Sequence, residues 1–159
     1  MEYFDLGSYS FPVTTSSKEA QMWFDRGLMW IYGYNHDEAE FCFEQSIRID
    51  PGCATSYWGI GYAIGPNYNK TWADFSHEDK QKCIDKSKLS LETAMKIKGL
   101  KPVEEALIEA LSFRYPSIAL EEDFSTWNDI YADKMRAVYS RFDAELDVCA
   151  LFAEALMNR

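Results

Sequence analysis

The chain has 159 residues, of which 26 are acidic and 16 basic, for a formal net charge of −10. This acidity argues against binding to nucleic acid or to an anionic membrane surface, since both favour a basic protein face. Hydrophobic residues make up 47% of the chain and aromatic residues 16%, which excludes a disordered segment and predicts a folded domain with a real core.

The N-terminal region 1–15 mixes aromatic residues with Gly, Ser, Pro and Thr. We expect an extended lead-in that packs its aromatic side chains on the first helices. It lacks the basic and apolar regions of a signal peptide, and charge, Gly or Asn interrupts every long apolar stretch, so no membrane span is predicted. The four cysteines form no CxxC pair, and we expect reduced thiols in a cytoplasmic protein.

Two amphipathic helices are predicted between residues 16 and 50. Ser16 is the predicted N-cap of the first helix, which runs to about Tyr34. Asn35 is the predicted N-cap of the second, and the Asp-Pro-Gly turn at 50–52 ends it. One face of this second helix carries Ala39, Phe43 and Ile47.

A third helix is predicted to start near Ala54, and its Gly61 stands 34 residues after Gly27. A strand from Tyr57 to Ile64 is the competing interpretation, because aromatic residues and glycines also alternate there; the 34-residue register favours the helix. A loop follows at 65–69.

The second half of the chain is predicted to be helical as well. After a short turn at 71–75, a polar helix begins at Ser76, and a shorter one begins at Pro102 and ends at Tyr115-Pro116. An acidic loop precedes two further helices, predicted at 125–142 and 144–157.

One segment has the spacing of a helix–turn–helix repeat. Gly27 and Ala39 are small residues where two helices meet, Phe43 fills the space beneath them, and Pro51 ends the pair. Together with Trp23, this pattern makes the 34-residue segment 20–53 resemble a tetratricopeptide repeat.

The resemblance implies an all-α, right-handed superhelix of about seven helices. The lead-in 1–15 would precede a repeat domain at 16–159. The predicted units of that domain are repeat 1 at 20–53, repeat 2 at 54–99 with an insertion at 65–77, repeat 3 at 102–143, and a half repeat at 144–159.

Further motifs are similar to those of large, mostly uncharacterised tetratricopeptide-repeat proteins of bacteria and fungi. They are the runs Phe24-Asp-Arg-Gly, Tyr34-Asn-His-Asp-Glu-Ala, Asp50-Pro-Gly-Cys-Ala, Tyr57-Trp-Gly, Gly65-Pro-Asn-Tyr-Asn, Tyr131-Ala-Asp-Lys-Met and Phe152-Ala-Glu-Ala-Leu-Met. The resemblance covers nearly the whole chain and implies a fold but no reaction.

Tetratricopeptide repeats bind extended peptides in a concave groove lined by the first helix of each pair. The groove positions here are Phe24, Leu28, Tyr32, Trp58 and Tyr62. They include no cation, so the carboxylate clamp of chaperone-binding repeats is absent and the groove should take an apolar or aromatic segment. The alternative is that the lead-in or the insertion covers these side chains.

Asn35, Asn67 and Asn69 are predicted to form a polar pocket at the rim of this groove, although asparagines often serve only to form turns. His36 and Glu40 have helical i, i+4 spacing and make a weak candidate metal site, since two ligands are too few. We therefore predict no metal and no cofactor. The chain shows no dinucleotide fingerprint, phosphate loop, nucleophile elbow or acid–base dyad, which indicates that it is not an enzyme.

The sequence thus predicts a non-catalytic scaffold that binds a protein or peptide partner. One alternative is the N-terminal segment of a longer enzyme or metalloprotein, to which His36 and the loop 65–69 would contribute. Another is self-assembly into a homodimer through the last helix, with Leu146, Phe152 and Leu156 as the contact.

Overall fold

The computed structural model describes residues 3–115 and 124–159, and within them the chain is all-helical with no β-strand. Residues 57–63 are helical, so the strand interpretation was wrong, and the predicted acidic loop lies outside the described residues. A short 3₁₀ helix covers Trp72–Asp74. The α-helices are α1 (Lys18–Tyr32), α2 (His36–Ile49), α3 (Ala54–Ala63), α4 (His77–Lys96), α5 (Pro102–Ser112), α6 (Ser125–Arg141) and α7 (Leu146–Met157).

Side-chain caps begin three of these helices. Asn35 Oδ1 accepts a hydrogen bond from the backbone N–H of Glu38 at 3.4 Å, and the hydroxyl of Ser76 accepts one from Asp79 at 3.1 Å, as predicted. The cap of α1 is Ser17 and not Ser16. Ser17 accepts from the N–H of Ala20 at 3.2 Å in an extended conformation that suits a cap.

The helices pack as successive pairs. Helix α1 packs on α2, α3 packs on α4, and α2 contacts α3. Helix α3 also contacts both α1 and α5, and these three helices form one layer. Helix α5 then packs on α6, and α6 packs on α7. The arrangement is helical-repeat-like. Among the described residues no helix is both long and apolar enough to cross a membrane.

The ring of Phe43 is held between two glycines on different helices. It is fully buried, and a Cβ atom added to either Gly27 of α1 or Gly59 of α3 would lie 2.6 Å from Cε1 of the ring. Gly27 therefore lets α2 approach closely. Gly61, its counterpart 34 residues on, would place a Cβ 3.4 Å from Cγ of Leu91 on α4, which is ordinary contact.

The extended lead-in covers one end of α1. Phe11 and Val13 are buried, and the Phe11 ring lies 6.4 Å from the ring of Phe24. The side chains of Gln21 and Asp25 on α1 bind the backbone of this segment: Asp25 Oδ1 accepts from Phe11 N at 3.1 Å, Gln21 Oε1 accepts from Val13 N at 2.9 Å, and Gln21 Nε2 donates to Phe11 O at 2.9 Å. The segment is thus bound as an extended peptide would be.

Carboxylates tie distant parts of the chain together. Asp147 on α7 is buried and accepts hydrogen bonds from the hydroxyls of Tyr9 in the lead-in and Tyr32 on α1, each at 2.6 Å. Glu154, one turn from the end of α7, accepts from the hydroxyl of Tyr62 on α3 at 2.8 Å. Helix α7 therefore covers the face of α1 and α3 that the lead-in leaves open.

We predict that Gly27→Ala lowers the free energy of unfolding by about 1–3 kcal/mol. The added methyl group would overlap the Phe43 ring, and this ring cannot move away because it also packs closely on Gly59. Gly61→Ala is the matched control: it meets only ordinary contacts and should be neutral or stabilising by up to about 1 kcal/mol through helix propensity. Urea unfolding followed by circular dichroism measures both. Equal effects of the two substitutions would contradict the packing described for Phe43.

Candidate functional site

The predicted aromatic groove is not an open surface. Phe24, Leu28, Trp58 and Tyr62 are between 0% and 3% exposed, and Tyr32 is half-buried with its hydroxyl on Asp147. The lead-in covers the Phe24 end, as the alternative interpretation expected, and α7 covers the Tyr32 and Tyr62 end. Burial of such large apolar side chains stabilises the fold by about 1.5–3 kcal/mol each, which explains why the chain itself occupies this face.

The predicted rim residues do come together. Asn35, His36, Asn67 and Asn69 line one open cleft of about 480 Å³. They reach it from the turn between α1 and α2, the first turn of α2, and the loop between α3 and the 3₁₀ helix. Other residues of the cleft wall include Tyr34, Asp37, Glu40, Lys70 and Phe75.

A tight turn presents the amide groups of this cleft. Asn67 is 7% exposed, and its Oδ1 accepts from the backbone N–H groups of Asn69 at 2.9 Å and Lys70 at 3.1 Å. The Oδ1 of Asn35 is likewise engaged with the N–H of Glu38. Because both oxygens serve the local backbone, the NH₂ groups of these two asparagines are what they can offer a ligand. The cleft therefore favours acceptors such as carbonyl oxygens.

Tyr34 is strained at the mouth of the cleft. Its φ of 57° lies in the left-handed region, where it is the only non-glycine among the described residues, and its side chain is 46% exposed. This conformation costs about 1–2 kcal/mol for a residue with a Cβ atom, and strain of this kind clusters at binding and catalytic sites. The sequence prediction missed this conformation because it extended α1 through Tyr34. The available signal was that the residues on either side of Tyr34, Gly33 and Asn35, are of types common in such turns.

His36 stands on the cleft wall beside Tyr34, with 6.1 Å between the ring centroids. Burial lowers its pKa below the usual value of 6.5, against the opposing effects of a backbone hydrogen bond with Tyr34 and the charge of Glu154. The imidazole is therefore neutral at neutral pH, and because its one N–H bonds the backbone at Tyr34, it offers a ligand the acceptor nitrogen. Within the described ranges no group of three His, Cys, Asp or Glu side chains could hold a metal ion.

A smaller apolar cavity adjoins the cleft. It measures about 200 Å³ and lies between the end of α1, α3 and α7. Tyr34, His36 and Asn67 line both the cleft and this cavity. Sequence reasoning did not find the cavity, because α7 reaches it only through tertiary packing.

The sequence also did not predict the buried cation near this cavity, Arg114. Arg114 is 0% exposed, and its guanidinium carbon lies 4.9 Å from the ring centroid of Tyr131 and 5.9 Å from that of Tyr62. Its guanidinium nitrogens have no hydrogen-bond partner among residues 3–115 and 124–159. Two aromatic faces and the charge of Glu154 are the described groups that compensate this cation.

The predicted self-association residues lie on the outer face of α7. Leu146 is 72% exposed and Leu156 is 38% exposed. Phe152 is half-buried, because its ring stacks on Tyr139 of α6 at 5.3 Å.

Comparison of this chain with family models, with curated proteins and with solved structures found no match.

We predict that His36 makes the stability of the protein depend on pH. Its lowered folded-state pKa means that the unfolded chain binds a proton first as the pH falls, so the contribution of His36 is fully present above about pH 6.5 and declines below it. Urea unfolding between about pH 7 and about pH 5 should show a shallower decline for His36→Gln than for the wild type. His77→Gln, at the exposed second histidine, should keep the wild-type decline; an unchanged slope in His36→Gln would contradict the assignment.

Proposed function

We propose that this chain is a non-catalytic, cytoplasmic scaffold of tetratricopeptide-like helical pairs that binds an extended segment of a partner protein. The observation that supports this most is the polar cleft, where two separate parts of the chain bring Asn35, His36, Asn67 and Asn69 together. The strained Tyr34 at its mouth adds support, since the fold maintains a costly conformation there.

The chemistry of the cleft suits a peptide backbone. Side-chain NH₂ groups of Asn35 and Asn67 and the ammonium of Lys70 are donors for carbonyl oxygens, and the second ring nitrogen of the neutral His36 can accept from a backbone N–H. The chain already binds its own segment at Phe11 and Val13 in this way, through Gln21 and Asp25. Since the aromatic groove is occupied, the cleft is the part of the predicted site to which a partner segment has access.

The charged residues of the cleft wall favour one class of partner segment. Asp37 and Glu40 stand on the cleft wall of a chain with a net charge of −10. Lys86 pairs with Glu40, which leaves Asp37 as the carboxylate that can meet a cation of the partner. A segment with a basic residue is therefore favoured, because complementary charge speeds association and disfavours acidic competitors.

We predict that peptides selected on this protein from a random displayed library depend on the cleft. Asn69→Ala should weaken their binding about 5- to 10-fold, the effect of one hydrogen bond, because this exposed side chain has no hydrogen-bond partner to lose among residues 3–115 and 124–159. Tyr68→Ala is the matched control, since Tyr68 is 55% exposed in the same loop but does not line the cleft. Isothermal calorimetry gives the affinities. Selected peptides whose affinity does not change in Asn69→Ala would overturn the proposed function.

Self-assembly through α7 is the second candidate, and the exposure of Leu146 at 72% is the observation that favours it. Leu156 and Met157 continue this apolar surface at 38% and 51% exposed. A second copy that packs its own α7 against this surface would bury it symmetrically.

Light scattering over a concentration series tests this candidate. We predict a mass above the 18.4 kDa of one chain that increases with concentration and returns to 18.4 kDa in Leu146→Asp. Leu89→Asp is the matched control, because Leu89 is 67% exposed on α4. A wild-type mass that stays at 18.4 kDa at every concentration would refute the dimer.

A further inference from the structure

The apolar cavity next to the cleft is built to take an uncharged group. Apart from the residues that it shares with the cleft, its lining is aliphatic or aromatic except for Glu154: Ile31, Tyr32, Tyr62, Leu151 and, on its exposed side, Ala150, Ala153 and Met157. The hydroxyls of Tyr32 and Tyr62 already donate to Asp147 and Glu154. Cavities of about 150 Å³ with apolar walls stay free of water and bind benzene, so one of about 200 Å³ has room for a Leu, Met or Phe side chain.

The cavity and the cleft adjoin each other along three shared residues. Tyr34, His36 and Asn67 are common to both, so a ligand backbone that contacts the amide of Asn67 lies at the entrance of the cavity. The exposed Tyr34 ring and the neutral His36 ring flank this entrance. An apolar group can pass between them without desolvating a charge on His36.

We infer that the partner segment carries a large apolar side chain which enters this cavity while its backbone lies on the cleft. This inference rests on the proposed function and specifies its ligand: a short extended peptide of a partner protein with Leu, Met or Phe at the anchoring position and a basic residue beside it. The anchor supplies most of the affinity, because it is the ligand group that buries the most apolar surface. The amides of the cleft set the orientation of the backbone.

The test uses peptides selected on the wild-type chain, each made again with its apolar residue replaced by Ala. The replacement should weaken binding to the wild type about 10- to 100-fold, as expected for a buried Leu-sized side chain. Ala153→Phe closes the cavity from α7 and should reduce the affinity of the parent peptide to that of its Ala version. Ala137→Phe, at an exposed alanine of α6, is the matched control and should bind like the wild type.

The outcomes separate the two proposals. Peptides that need Asn69 but show no preferred apolar position and are indifferent to Ala153→Phe would overturn the anchor and leave the proposed function standing. Selection that yields no peptide dependent on Asn69 would overturn both. Benzene gives an independent readout: it should shift the methyl resonances of Ile31, Leu151 and Met157 in the wild type but not in Ala153→Phe, and the absence of a shift in the wild type would also overturn the anchor.

Discussion

The contact of one aromatic ring with two glycines determines the position of the first three helices. Phe43 of α2 lies between Gly27 of α1 and Gly59 of α3, with no room for a methyl group on either side. Because the ring is fully buried, the three helices cannot shift independently. The C-terminal ends of α1 and α3 carry Tyr34 and the loop with Asn67, so this contact also sets the width of the cleft.

Other parts of the chain cover the face of the layer formed by α1, α3 and α5, so the candidate site lies at the ends of these helices. Apolar burial of Phe11 and Val13 holds the lead-in, and the carboxylates of Asp147 and Glu154 hold α7 through tyrosine hydroxyls. Buried carboxylates need such donors, since an unpaired charge in the interior is costly. With this face occupied, the exposed hydrogen-bonding groups of Asn35 and Asn69 at the adjoining cleft are those that a partner can still reach.

Sequence periodicity predicted most of the helices because each has an apolar face of helical spacing and a local stop signal. Asn35 and the turn at 50–52 acted as predicted since capping and turn chemistry are local. The end of α1 was wrong by two residues, because Tyr34 takes the left-handed conformation that closes the helix, where Asn35 N donates to Trp30 O at 2.9 Å, and the propensity of a tyrosine does not predict this conformation. The rim asparagines line one cleft, whereas most of the aromatic residues expected to form an open groove are buried, because sequence spacing does not show what covers a helix face.

The sequence by itself determined the helical class, the points at which most helices begin and end, the close approach at Gly27, and the asparagine-rich turns beside α2 and α3. Apart from the contact of Gly27 with Phe43, these features depend on interactions within a few residues along the chain. Tertiary structure alone decided that α7 and the lead-in occupy the aromatic face, that Arg114 is buried against Tyr62 and Tyr131, and that an apolar cavity adjoins the cleft. Such features depend on contacts between residues as far apart as Tyr9 and Asp147, whose pairing no local pattern specifies.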